Sequence, residues 1–137
     1  MKRSIWIIGF ALVLIFSISL AAIADEIVPY ASESINNTGI SLGVSGGKVY
    51  ASAVINATSI ASKLGFSSIT LYHKVDGVWK PVASAKNVYG ANRRSYTSSV
   101  SCTLVPGREY KASCSSMATV NGISDTGSAS VGPVTYY

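Results

Sequence analysis

Apolar side chains recur at every second position along most of this chain, and Gly, Asn, Asp or Pro interrupts each run. A period of two buries one face of a β-strand, whereas an amphipathic helix needs a period near 3.6, which no stretch after residue 24 carries. Ile40, Leu42 and Val44 alternate up to the turn Ser45-Gly46-Gly47-Lys48, and Val49, Ala51, Ala53 and Ile55 alternate on the return. Ile69, Leu71, His73 and Val75 form a third run that ends at Asp76-Gly77. That dipeptide between two apolar runs specifies a tight hairpin, because both central residues of such a turn need positive φ. Its partner is Val78 to Ala83, where Pro81 lacks an amide donor and so predicts a sheet edge. Val100, Cys102 and Leu104 alternate next, then Tyr110, Ala112 and Cys114, and Ser128 to Tyr137 supplies a last strand. Three stretches break the pattern. Residues 57–65 read as a single helical turn ended by Gly65, and residues 84–94 and 121–127 read as loops. The sum is an all-β domain of about seven strands.

The first residues carry an address. Lys2 and Arg3, the apolar run Ile5 to Leu20 and the small-x-small pattern Ala22-Ile23-Ala24 have the layout of an export signal, with cleavage expected after Ala24. The run is near the length that spans a bilayer, so an uncleaved anchor is the alternative. The expected organisation is a signal peptide at 1–24, a flexible arm at 25–37 and one sandwich domain at 38–137, secreted from the cell. Contact with a membrane is expected only through the leader before its removal. The formal charge is +5, of which Lys2 and Arg3 contribute two, and Arg93-Arg94 is the only basic doublet of the remainder. Nucleic-acid binding needs a clustered basic footprint, and this distribution excludes it from the expected functions.

One segment, Leu104-Val105-Pro106-Gly107-Arg108-Glu109-Tyr110-Lys111-Ala112-Ser113-Cys114, resembles the corner between two strands of fibronectin type III domains, where a leucine, a Pro-Gly turn and a tyrosine precede an alternating strand. The upstream "ITLYHKVDGVWKPV" is similar to a hairpin of the same family, and together the matching segments cover about half of the chain that follows residue 24. The resemblance implies an immunoglobulin-like, fibronectin type III-like sandwich of two sheets. It gives Leu104, Pro106, Gly107 and Tyr110 a structural role, with the Tyr110 hydroxyl bonded back to the backbone upstream. No Arg-Gly-Asp tripeptide is present, so the adhesive role of some members is not implied. In overall layout the chain also resembles small secreted proteins of Gram-positive bacteria, which implies no activity.

Chemistry-bearing residues are sparse. Were residues 100–104 and 110–114 a plain hairpin, Cys102 and Cys114 would lie on a diagonal about 7–8 Å apart, long for a bridge. Were the chain to cross between sheets at Pro106-Gly107, two inward cysteines could meet, so a Cys102–Cys114 disulfide is expected, with two buried thiols as the alternative. A nucleophilic cysteine needs a base, and His73 is the single histidine. The spacing of His73 and the cysteines fits no metal motif, and Asp25, Glu26, Glu33, Asp76, Glu109 and Asp125 are scattered. With no Gly-x-Ser-x-Gly elbow and no Gly-rich phosphate loop, neither an enzyme nor a bound cofactor or metal is expected. Aromatic residues are the remaining signal. Tyr72 and Trp79 flank the Asp76-Gly77 hairpin, while Tyr89, Arg93 and Arg94 fall in the expected 84–94 loop. These five are the candidate ligand surface for an extracellular protein or glycan, with cross-strand pairing that stabilises the sheet as the other reading of the aromatic residues. A carbohydrate-binding module and a membrane-active toxin or bacteriocin are the alternative functions.

Overall fold

The computed structural model describes residues 33–137. The expected leader and residues 25–32 of the expected arm lie outside the described residues. Seven strands are present among them: β1 (Ile35–Ser45), β2 (Lys48–Ala61), β3 (Lys63–Val75), β4 (Val78–Gly90), β5 (Arg93–Thr103), β6 (Glu109–Val120) and β7 (Ile123–Thr135). They form two antiparallel sheets, β1-β2-β5 and β4-β3-β6-β7, packed as an all-β sandwich compatible with an immunoglobulin-like fold.

Turn chemistry decides which neighbours share a sheet. The three hairpins β1–β2, β3–β4 and β6–β7 each close on two residues with positive φ: Gly46-Gly47 (58° and 73°), Asp76-Gly77 (52° and 76°) and Asn121-Gly122 (50° and 79°). Such turns match the right-handed twist of the flanking strands, so the chain folds back within one sheet. The other three connections, at Ser62, at Ala91-Asn92 and at residues 104–108, carry the chain from one sheet to the other.

The irregular stretches of the sequence are strands. Residues 57–65 hold no helical turn: β2 runs on through Ala57 and Ala61, both buried, and β3 starts at Lys63. Burial of those alanines, together with the Thr58 N–H donating to the Ser34 carbonyl (3.0 Å), outweighs local preference. The expected 84–94 loop shrinks to Ala91-Asn92, and the expected 121–127 loop to Asn121-Gly122. Ser67 and Val82 are extra residues at register shifts, and Asn87 stands at φ 54°, so the alternation of β3 and β4 breaks without ending either strand. Nor does the arm reach residue 37. Ser34 is buried, donating its N–H to Asp125 Oδ2 (2.9 Å) and its hydroxyl to the Ile123 carbonyl (2.8 Å), and β1 begins at Ile35.

Two layers of side chains fill the sandwich. One gathers Ile55, Leu64, Phe66, Ile69, Cys114 and Val120 around the alanines of β2, and the other gathers Val49, Ala51, Leu71, Tyr110 and Ala112. Small residues at Ala51 and Ala53 leave room for the rings of Phe66 and Tyr110, the two largest fully buried side chains. Burial on that scale contributes roughly 1.5–3 kcal/mol for each large apolar side chain.

The corner between β5 and β6 is fixed from several directions. The Val105 N–H donates to the Tyr110 hydroxyl (2.9 Å), the Gly107 N–H to the Tyr136 carbonyl (2.7 Å), and the Leu104 N–H to the Gly47 carbonyl (2.9 Å). Gly107 takes φ 82°, a conformation open to glycine at little cost. Tyr110→Phe keeps the buried ring and deletes one hydrogen bond, so urea denaturation should show a loss of about 1 kcal/mol. Tyr110→Ala removes the ring as well and should cost about 3–5 kcal/mol.

Candidate functional site

Burial of Tyr110, Ala112 and Cys114 on β6 turns Lys111 and Ser113 to the outer face of the four-stranded sheet. The ladder places Lys111 beside Tyr72 of β3, and Tyr72 beside Pro81 of β4. One step along, Lys74 is paired with Trp79. The sheet therefore brings Tyr72 and Trp79 together around a lysine. The Lys111 ammonium stands 4.5 Å from the Trp79 ring centroid and 5.5 Å from that of Tyr72, and the Lys74 ammonium 5.7 Å from Trp79. Lys74 also pairs with Glu109 at 3.4 Å, and this is the one ion pair among the described residues. Each cation–ring contact at such a half-exposed position contributes roughly 0.5–1 kcal/mol.

Beside this cluster lies a hollow of about 300 Å³ lined by Tyr72, Lys111, Ser113 and Ser130, with Ala112, Val131 and Gly132 along the β6–β7 seam. The hollow sits at an irregularity in β7. Tyr110 pairs with Val134 and Ala112 with Val131, so Gly132 and Pro133 together face Lys111. Gly132 holds φ 96°, and a Cβ there would come within 2.7 Å of the Tyr110 carbonyl oxygen, so only glycine fits.

The remaining residues of the expected ligand surface do not join this group. Tyr89 shares the outer face but sits opposite Gly65, about 20 Å along the strand from Tyr72. There its ring carries the Lys63 ammonium at 4.3 Å, and a Cβ on Gly65 would collide with the Val88 carbonyl oxygen. Arg93 stacks over Tyr96 at 5.6 Å, and Arg94 donates to the Thr58 carbonyl at 3.1 Å. Lys74, Lys111, Ser113, Ser130 and Gly132 are not among the residues of the expected ligand surface. Alternation along β6 gives Lys111 an outward direction, but its meeting with Tyr72 depends on pairing between strands far apart in sequence.

The cysteines form no disulfide. Both are free thiols, Cys114 buried beside Phe66 and Ile69 and Cys102 half-buried in the layer of Val49 and Tyr110. The chain does cross between sheets after Cys102, but the corner uses up residues 104–108. Tyr110 therefore arrives in the layer of Cys102, and Cys114 lies four residues beyond, about 13 Å further along β6. Burial pushes both thiols up, opposed weakly by Arg108 at Cys102 and by a backbone hydrogen bond from Ala129 at Cys114. Neither thiol is poised as a thiolate nucleophile. His73 accepts from Arg108 Nη1 at 3.4 Å with its ring 6.4 Å from that of Tyr110. No group of three or more His, Cys, Asp and Glu converges as a metal site among the described residues.

No protein-family model matches the chain, and a search of curated proteins finds no match.

Two outcomes follow from these geometries. Denatured, unreduced protein should titrate both Cys102 and Cys114, with Cys114 the slower to react under native conditions. Burial first, then the charges of Arg108 and Lys80, hold His73 below its ordinary value of 6.5. The unfolded chain therefore binds the extra proton more readily. The contribution of neutral His73 is present above pH 6.5 and is lost as pH falls below it. The urea midpoint should drop between about pH 7 and pH 5.5, with a shallower drop in His73→Gln.

Proposed function

We propose that this chain is a secreted, non-enzymatic binding module of fibronectin type III-like architecture, which docks a partner outside the cell on the outer face of β4-β3-β6-β7. The strand order β1-β2-β5 and β4-β3-β6-β7, with a buried tyrosine pinning the β5–β6 corner, supports the family-like reading of the fold. The leader-like residues 1–24 support export. The observation that carries the binding face is the row Trp79, Lys111, Tyr72 beside the hollow lined by Ser113 and Ser130. Aromatic rings there are half-buried and preoriented by the sheet, so little side-chain freedom is lost when a partner arrives. The rings supply apolar contact, the lysine a charge and the serines hydrogen bonds, which is the mixture expected of a recognition surface. Binding, rather than turnover, suits a site whose titratable groups do not include an acid and base facing one reacting position.

Labelled protein should bind the surface of the producing cells or material in their spent medium. The double variant Tyr72→Ala, Trp79→Ala should lose that binding by about tenfold, the usual scale for aromatic anchors. Tyr50→Ala, on the outer face of β2 in the other sheet, should leave it unchanged. Equal binding by the Tyr72/Trp79 variant and the wild type, both shown to be folded by circular dichroism, would place the function elsewhere.

A further inference from the structure

The charges and hydroxyls around the hollow specify more than a docking face. Lys74, Lys111 and Glu109 carry one net positive charge between them, and the Lys74–Glu109 pair leaves the Lys111 ammonium without a carboxylate partner among the described residues. The Lys111 side chain borders the hollow and carries its ammonium over Tyr72 toward Trp79, while Ser113 and Ser130 face each other across the β6–β7 ladder. The hydroxyls then continue along the sheet. Thr70 pairs with Ser113 and Ser113 with Ser130, and in a further row Ser68 pairs with Ser115 and Ser115 with Ser128.

We infer that the ligand is an acidic polysaccharide, with one uronate ring seated in the hollow and the following rings laid along the serine and threonine rows. This rests on the outer face of β4-β3-β6-β7 being the docking surface. A volume of about 300 Å³ is at the lower end for small-molecule sites and suits a single ring of a longer chain. A polymer is indicated because the polar rows extend beyond the hollow, through Ser68, Ser115 and Ser128. Hydroxyl-to-hydroxyl contacts exchange for water at little net gain, so the rows give register and reach while the charge and the rings give affinity. One unpaired ammonium complements one carboxylate. A phosphate monoester is a poorer match, because it carries close to two charges and a single ammonium balances only one. The apolar face of a sugar ring can pack against the half-exposed Tyr72 ring beside that ammonium.

Titration calorimetry with short oligogalacturonate, oligoglucuronate and oligomannuronate, each beside its carboxyl-reduced neutral counterpart, tests this directly. At least one acidic oligomer should bind about tenfold more tightly than its neutral counterpart, and added sodium chloride should weaken it. Lys111→Met, which keeps the aliphatic stem, should erase the difference, whereas Lys111→Arg should retain most of it. Thermal midpoints close to that of the wild type show that the variants are folded. Binding of acidic and neutral oligomers alike, a preference that survives Lys111→Met, or displacement by inorganic phosphate beyond that by chloride at equal ionic strength would each overturn the uronate assignment. Failure of all three oligomers would overturn it too. In that case cell-surface binding that still depends on Tyr72 and Trp79 would leave the docking face standing, and its insensitivity to them would remove both.

Discussion

Tyr110 reaches the centre of the sandwich with its ring fully buried, and its hydroxyl takes the Val105 N–H at the corner where the chain passes from β5 to β6. Ring and hydroxyl act at different ends of the same side chain. The ring fixes the level at which β6 enters the core, and the hydroxyl fixes the turn that delivers it. Once that level is set, the pleat of β6 sends Ala112 and Cys114 inward and Lys111 and Ser113 outward. The outer face with its aromatic and lysine cluster thus inherits its position from a residue on the opposite side of the sheet. Gly132 belongs to the same arrangement, since the close approach of its backbone to the Tyr110 carbonyl is what opens the β6–β7 ladder opposite Lys111.

Much of this architecture is legible in the sequence wherever the physics is local. Alternation in residues 40–55 and 69–75, the positive-φ turns at Gly46-Gly47 and Asp76-Gly77, and the edge position of Pro81 depend on neighbours a few residues apart. The misreadings share a different cause. Ser67, Val82 and Asn87 interrupt the period of two inside continuous strands, and the partner strand, not the local sequence, holds the chain extended there. At Ala57 and Ala61 the small side chains look neutral between helix and strand, and burial against Leu64 and Val120 decides. The same limit applies to the cluster of Tyr72, Trp79 and Lys111. Tyr72 and Trp79 are near each other in sequence and visible as a pair, whereas Lys111 joins them only through the β3–β6 ladder.

Sheet edges are a hazard for a small all-β protein, and each edge here is blunted in its own way. β4 carries Pro81, Lys80 and Lys86 and the irregularities at Val82 and Asn87. β7 is broken at Gly132 and Pro133, and β5 opens on Arg93 and Arg94. Across the gap between sheets, Ser34 ahead of β1 holds Asp125 and Ile123 of β7, and the hydroxyls of Thr38 on β1 and Ser116 on β6 meet at 2.7 Å. Gly127 makes that meeting possible, because a Cβ there would come within 2.9 Å of the Ser116 oxygen. These devices discourage edge-to-edge pairing between copies of the chain.

The two outer faces are not equivalent. On the three-stranded sheet, the rows Ser41, Ser52, Ser99 and Gly39, Val54, Thr97 carry no charge and no large ring, and Tyr50 in the next row has no cation over its ring among the described residues. On the four-stranded sheet, similar hydroxyl rows end in cation–ring clusters, Trp79 with Lys111 and Lys74 at one end and Tyr89 with Lys63 at the other. Hydroxyl rows alone bind weakly, because water satisfies them as well as a ligand does. A ring and an ammonium held together differ in this respect. The ring presents a surface that water wets poorly, and the ammonium beside it raises the local attraction for an anion without needing a rearrangement of the site. An anion bridging Lys111 would still have to displace part of that cation–ring contact. For the proposed acidic polysaccharide, affinity at such a face is therefore modest for one ring and grows with the number of rings that reach the hydroxyl rows.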